Sequence, residues 1–352
     1  MSNRTNLGLP QDRIGNPHKV PEAMDRVFPP QHGIEGYNET AFFTSWNEEE
    51  GVGLFIHVGR CPQDIDLWYA QTLVYLPDGH IASDRSWGRS SQDDDICTGN
   101  LFFSFGEGIG CWHGHFDGVA ELGTAAKMAR QPTGSGAARP MKFRFKCRPA
   151  GPIWDMYSDR QTSRQDWAKG SHTQQILEVD GSVSVDGRTY ALTGYAGNDH
   201  SCGVRKLDSF ASHHFFIGAL PGCVVHCISV FDRDGMPLIE TGAVGDADGG
   251  FTSATLENVP PLSDLLEQPR IDVGLVYANG SKEVLRLDPL HSFPLSLTTE
   301  KDNINGIDWH LLDHLALTET RVRVTRLSDG AMGYANLERS IMRSKLELPQ
   351  AS

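Results

Sequence analysis

Between Asp199 and Arg205 the chain sets a carboxylate, an imidazole, a thiol and a guanidinium within seven residues: Asp199, His200, Cys202 and Arg205. A carboxylate beside an imidazole can orient it and raise its basicity, which is the arrangement used for proton transfer. Arg205 could hold that carboxylate or stabilise negative charge on a substrate. Cys202, between a base and a cation, offers a thiolate nucleophile, although a small buried Cys that fills space is the plainer reading. For the stretch as a whole, the plainer reading is a polar strand end with Gly-assisted turns.

A second group lies in Gly110–Gly118. On a strand, alternate residues share a face, so Cys111, His113, His115 and Asp117 point one way and Trp112 and Phe116 the other. Two imidazoles and a carboxylate on one face could bind a metal, line a polar pocket or face solvent. No further ligand is marked by spacing, so no metal is assigned. The remaining candidates for substrate contact are Trp87, His115, Trp154, Tyr157 and Cys202. Tyr157 could hold a substrate oxygen or donate a proton. The chain has no Gly-x-Gly-x-x-Gly turn, phosphate loop, Gly-x-Ser-x-Gly elbow or His-Glu-x-x-His. Cofactor-free acid–base chemistry is therefore the economical expectation.

The elements that must position these groups read as strands. Short apolar runs are separated by turn signals such as Pro77-Asp78-Gly79, Asp186-Gly187 and Asn279-Gly280. The Asp186-Gly187 pair predicts a long hairpin leading into the Asp199–Arg205 stretch. Residues 1–31 read as an arm, with one short helix near Pro21–Val27, that could wrap the first domain or a partner subunit in a homodimer. A first β domain over 32–170 ends in a bridge, with a short helix expected at Arg160–Lys169, and a second β domain spans 171–352. Cys223 and Cys227 share a strand face with Val225 and read as packing residues. The aspartate-rich loops at 93–95 and 246–250 read as solvated turns.

The 352 residues suffice for two domains, and a net charge of −14 argues against nucleic acid and anionic membrane as main partners. No apolar run is long enough to span a membrane and no signal core is present. Seven cysteines without pair spacing agree with a reducing compartment, so a cytoplasmic location is expected.

Asp199-His200-Ser201-Cys202-Gly203 resembles the Asp-His-Asn-Trp-Gly signature of the carotenoid 1,2-hydratase (hydroxyneurosporene synthase) and AttH-like group. The resemblance extends to the hairpin Val183–Leu192 and, weakly, to Glu39–Gly59 and Gly330–Glu338. It implies an all-β chain of two consecutive lipocalin-like, or calycin-like, antiparallel barrels or curved sheets. Members carry out cofactor-free chemistry on hydrophobic molecules, by hydration of an isolated alkene or, in fungal relatives, pericyclic cyclisation. His200 and Asp199 match the family His and Asp. The family Trp is Cys202 here, so a large π surface able to stabilise a carbocation is missing. The expected function is a cofactor-independent lyase, hydratase or isomerase acting on a terpenoid, steroid or lignin-type aromatic. His200 would move the proton, Asp199 would orient it and Arg205 would stabilise charge. The alternative is a non-catalytic carrier of an apolar ligand.

Overall fold

The alternation of apolar and polar residues differs between strands, and that difference sets the architecture. β1 (Tyr37–Asn47), β2 (Val52–Cys61) and β3 (Asp64–Tyr75) are buried on both faces over most of their length. β4 (His80–Gly88), β5 (Asp95–Thr98) and β6 (Leu101–Phe105) follow. β7 (Trp112–Thr124) and β8 (Ala137–Pro149) alternate buried and exposed residues along much of their length, as strands with one wet face do. A single helical turn, α1 (Ala125–Met128), is N-capped by Thr124. The remaining strands of the first sheet are β9 (Trp154–Asp155), β10 (Ala168–Val185) and β11 (Arg188–Arg205). The computed structural model describes residues 7–90, 95–157, 168–205, 210–246, 250–298, 303–311 and 314–349, with only the backbone of Ala168, Lys169 and Arg205. Most of the helix expected at Arg160–Lys169, and parts of the two aspartate-rich loops, lie outside the described residues.

β1, β2, β3, β4, β7, β8, β10 and β11 close a barrel, because β4 pairs with β7 and β11 pairs with β1. The second barrel is built from β12 (Ser212–Leu220), β13 (Cys223–Phe231), β14 (Pro237–Asp246), β15 (Phe251–Glu257), β16 (Ile271–Tyr277) and β17 (Lys282–Leu297). β18 (Ile304–Asn305) pairs with the end of β17, and β19 (Leu315–Arg326) and β20 (Met332–Met342) complete the barrel through the β12–β20 and β16–β17 pairings. The expected pair of consecutive antiparallel barrels is therefore observed. The division between the two sheets differs from the one read off the sequence. The β10–β11 hairpin, assigned to the second domain, is hydrogen-bonded into the first barrel between β8 and β1. Its turn is as expected: Asp186 and Gly187 both take positive φ, 50° and 81°.

Each barrel has its own core. Phe43 stacks on Phe145 at 4.5 Å inside the first, in a cluster with Trp68, Trp112 and Phe116. Phe216, Val225, Val324 and Leu337 fill the second, and Cys223 and Cys227 pack there beside Val225 as expected. A third cluster, including Phe42, Phe55, Phe215, Phe293 and Leu317, joins the two barrels. This shared cluster explains the double burial of β1, β2 and β3, whose outer faces are covered by β12, β17 and β19. Gly197 permits the close approach, since a Cβ there would lie 2.9 Å from Ile217. Among the described residues no helix is long and apolar enough to cross a membrane.

Candidate functional site between the barrels

The Asp199–Arg205 stretch lies within β11, so its side chains are sorted by strand parity. Leu192, Ala196 and His200 point into the first barrel, while Asp199 and Ser201 point to the other face. Asp199 therefore does not orient His200. That role falls to Glu39 of β1, whose Oε1 lies 3.1 Å from His200 Nε2. Arg60 Nε donates to Glu39 Oε2 at 2.8 Å, and the Phe28 N–H donates to Oε1 at 2.8 Å. His200 Nδ1–H donates to the Met24 carbonyl at 3.1 Å, because a carbonyl can only accept. Glu39 Oε1 already accepts the Phe28 N–H, so Nε2 donates to it and carries the second proton. Burial works against the imidazolium, but the hydrogen bond and charge of Glu39 and the charge of Asp25 outweigh it and raise the His200 pKa. The arm supplies Asp25, whose carboxylate accepts the Gly110 N–H at 2.7 Å and the Trp112 indole N–H at 3.2 Å. Both ring nitrogens of His200 are matched, and His200 is not part of the wall of the cavity between the barrels.

The other sequence candidates are dispersed. His115 is exposed on the outer face of the first barrel, together with His113 and Asp117. It is on the surface because Trp112 and Phe116 fill the interior from the alternate positions. Trp87 is 43% exposed, with the Arg85 guanidinium 4.8 Å from its ring centroid, in a separate surface groove. Trp154 is buried and stacks on His226 at 5.8 Å. The Arg205 side chain lies outside the described residues. Cys202 and Tyr157 do border a cavity, with Cys202 Sγ 3.2 Å from the Tyr37 hydroxyl.

That cavity, ≈160 Å³, lies between the barrels. Its apolar wall includes Phe42 and Phe55 from the first barrel and Phe215, Ile228, Leu295 and Leu317 from the second. Its polar groups include Asp199, His213, Glu319 and Glu338. The β19–β20 hairpin sets Glu319 directly opposite Glu338, and both point out of the second barrel because Val322, Val324, Ala335 and Leu337 occupy its interior. Glu319 is 2% exposed. Its pKa is raised well above the ordinary carboxyl value, first by burial and then by the charge of Glu338 and the hydrogen bond between the two. Burial also raises Glu338, and the charge of Asp199 adds to the shift, while the bond from Glu319 partly offsets it. Glu338 keeps 18% of its side chain accessible at the cavity wall.

His213 contacts Glu338 through Nε2. Burial lowers its pKa to about 4, so it is neutral near pH 7. With a carboxylate at Nε2, that nitrogen carries the proton and Nδ1 accepts from the Ser340 hydroxyl at 2.5 Å. Ser340 Oγ in turn accepts the His213 main-chain N–H at 3.0 Å. Asn336 Nδ2 donates to Glu319 Oε2 at 2.7 Å. The consistent assignment is a protonated Glu319 that donates to an ionised Glu338, which His213 also supports. Two carboxyls in contact cannot both ionise in a dry site, so one proton is kept above the ordinary carboxyl range. Such a pair can give a proton to a substrate and take one back.

The sequence reading missed this pair. Its signal was available: the Asp329-Gly330 turn fixes the register that brings Glu319 and Glu338 together, and Glu319 is the lone acidic residue between Ala316 and Val324.

A family model described as Domain of unknown function (DUF7064) matches residues 23–342. The chain belongs to the DUF7064 family. No curated protein sequence matches it. Among solved structures, this DUF7064 chain is similar to a putative AttH (NE1406) from Nitrosomonas europaea, with a TM-score of 0.61 and 15% identity over 88% of this chain and 98% of that one. It is also similar to CghA, with a TM-score of 0.51 and 10% identity over 93% of this chain and 97% of that one. At these identities the likeness is one of fold. The tandem-barrel architecture that the signature resemblance implied is therefore shared with an AttH-like protein.

Proposed function

We propose that this chain is an enzyme that carries out proton-transfer chemistry, as a lyase, hydratase or isomerase, on an apolar small molecule held between the barrels. The observation that carries the reading is the Glu319–Glu338 pair set in the wall of a cavity that Phe42, Phe55, Phe215, Ile228, Leu295 and Leu317 also line. Protonated Glu319 would deliver its proton to an alkene carbon or to a departing hydroxyl. Glu338, supported by His213, would take a proton from the attacking water, or from the substrate carbon in elimination or isomerisation. The pair ends each cycle with the one proton it began with. Tyr157 and Cys202 border the same space, and the Tyr157 phenol would position a substrate oxygen. The signature resemblance supports hydration-type chemistry on an isoprenoid, a steroid or a lignin-type aromatic.

Incubation with representatives of these three classes, followed by mass spectrometry, tests the reading. A gain or loss of one water, or an isomer of unchanged mass, is expected, and Glu319→Gln should slow its formation by ~10²–10⁴-fold. Ligand retained unaltered by wild-type protein would instead identify a carrier. Equal product from Glu319→Gln would sink the acid–base assignment.

A further inference from the structure

Two residues beyond Glu319 on the same face of β19 lies Arg321, directly opposite His291 of β17. Arg321 is 6% exposed, yet its Nε has no acceptor and it forms no ion pair among the described residues. Two other guanidinium groups are as deeply buried: Arg60, at 4% exposure, is neutralised by Glu39, and Arg339, also at 4%, donates to the neutral oxygens of Pro260 and Gln268, whereas no acceptor is found for Arg321 among the described residues. Burial lowers the Arg321 pKa to about 10, with Tyr75 opposing the shift, so the group stays cationic near neutral pH. A buried cation without a counter-charge is strongly disfavoured.

Its surroundings contain further unsatisfied polar atoms. Among the described residues no hydrogen-bond partner is found for Trp46 Nε1 or His291 Nδ1, the His291 ring feeling only the Ser292 main chain. Their rings are 6.1 Å apart across the barrel junction, and Tyr75 stands 4.3 Å from His291. Burial holds His291 near 4, so its ring is neutral. Arg323, the next outward residue on this face, is already paired with Glu48. Apart from Glu338, which is engaged by Glu319 and His213, the charge left at this end of the face is therefore one positive charge. One carboxylate would balance it, whereas a phosphate dianion would leave a second buried charge uncompensated.

We propose that Arg321, flanked by His291 and Trp46, binds a single organic carboxylate that the apolar substrate extends past Glu319, beyond the cavity wall to which none of these three residues belongs. This deepens the acid–base reading of that cavity and rests on it. Two strand residues span roughly 7 Å, so the substrate would carry its carboxylate about that far from the carbon facing Glu319.

The test is calorimetric binding of 4-phenylbutyrate and 4-phenylbutanamide at pH 7 to wild type, Arg321→Met, Arg321→Lys and Leu317→Trp. Wild type should prefer the acid by about 10- to 100-fold, the range of a hydrogen bond to a charged group. Arg321→Met should bind the two probes alike, Arg321→Lys should recover part of the preference, and Leu317→Trp should block both. Arg321→Met should also melt no lower than wild type, whereas loss of an arginine needed for packing would lower the melting temperature. Equal wild-type affinity for acid and amide, or a preference that survives Arg321→Met, overturns the carboxylate site alone. Inorganic phosphate bound as tightly as the acid, and lost in Arg321→Met, overturns it in favour of phosphate. Amide binding that survives Leu317→Trp, or no binding of either probe, overturns the cavity reading as well.

Discussion

Among the described residues there are two buried acid–imidazole clusters, one inside the first barrel and one at the wall between the barrels. In the first, Glu39, Arg60 and His200 satisfy one another, and the arm seals them with the Met24 carbonyl and the Phe28 N–H. In the second, Glu319 and Glu338 share a proton, His213 is neutral and the pair borders a cavity. The chemical ingredients are alike, but the balance of charge differs. A cluster with a guanidinium for its carboxylate is closed and holds structure. A cluster with more carboxyls than cations retains a transferable proton.

This contrast can be broken by substitution. Glu319→Gln should lower turnover by ~10²–10⁴-fold, the usual contribution of a general acid or base, with the melting temperature unchanged or raised. Glu39→Ala should do the reverse. It strands Arg60 and should cost about 3–5 kcal/mol of stability, read by urea denaturation, while turnover per folded molecule stays at wild type. If Glu39→Ala silenced a fully folded protein, the division between the two clusters would be wrong.

The pH dependence sharpens the same comparison. Glu319 and His200 both bind their protons more tightly in the folded state than in the unfolded chain. Each therefore contributes stability that is complete below its ordinary pKa, 4.5 for Glu319 and 6.5 for His200, and is lost as pH rises through the raised value. Urea midpoints should decline with pH above those values. Glu319→Gln should flatten the limb that begins above the carboxyl range, and His200→Gln the limb above the ordinary imidazole value. Turnover should fall on the alkaline side with Glu319 alone. The smallest effect is expected at His115, where His115→Ala should change stability by no more than about 0.5 kcal/mol, as exposed positions do, and leave turnover unaltered.

Much of the fold was legible in the sequence because strand chemistry is local. Asp186-Gly187 fixed a long hairpin, and the Cys223–Val225–Cys227 parity was read correctly. The site was less legible because it depends on which strands are covered twice. Asp199 and His200 are adjacent in sequence, but the pleat puts them on opposite faces of β11. Glu39, the real partner of His200, comes from a strand 161 residues away in the chain. Glu319 and Glu338 came together through a turn that had not been traced into register. The clue to the junction was the missing alternation in β1, β2 and β19, since a strand with no wet face must be sandwiched.

The closing position of β11 has a consequence for synthesis. β1 leaves the ribosome early, but the strand that covers its open edge ends at Arg205, and the His200 that anchors the arm is made 176 residues after Met24. At ~5–20 residues per second, that edge waits on the order of ten to thirty seconds for its neighbour. Nascent chains stalled before β11 should accordingly recruit holdase chaperones, and chains released after it should not.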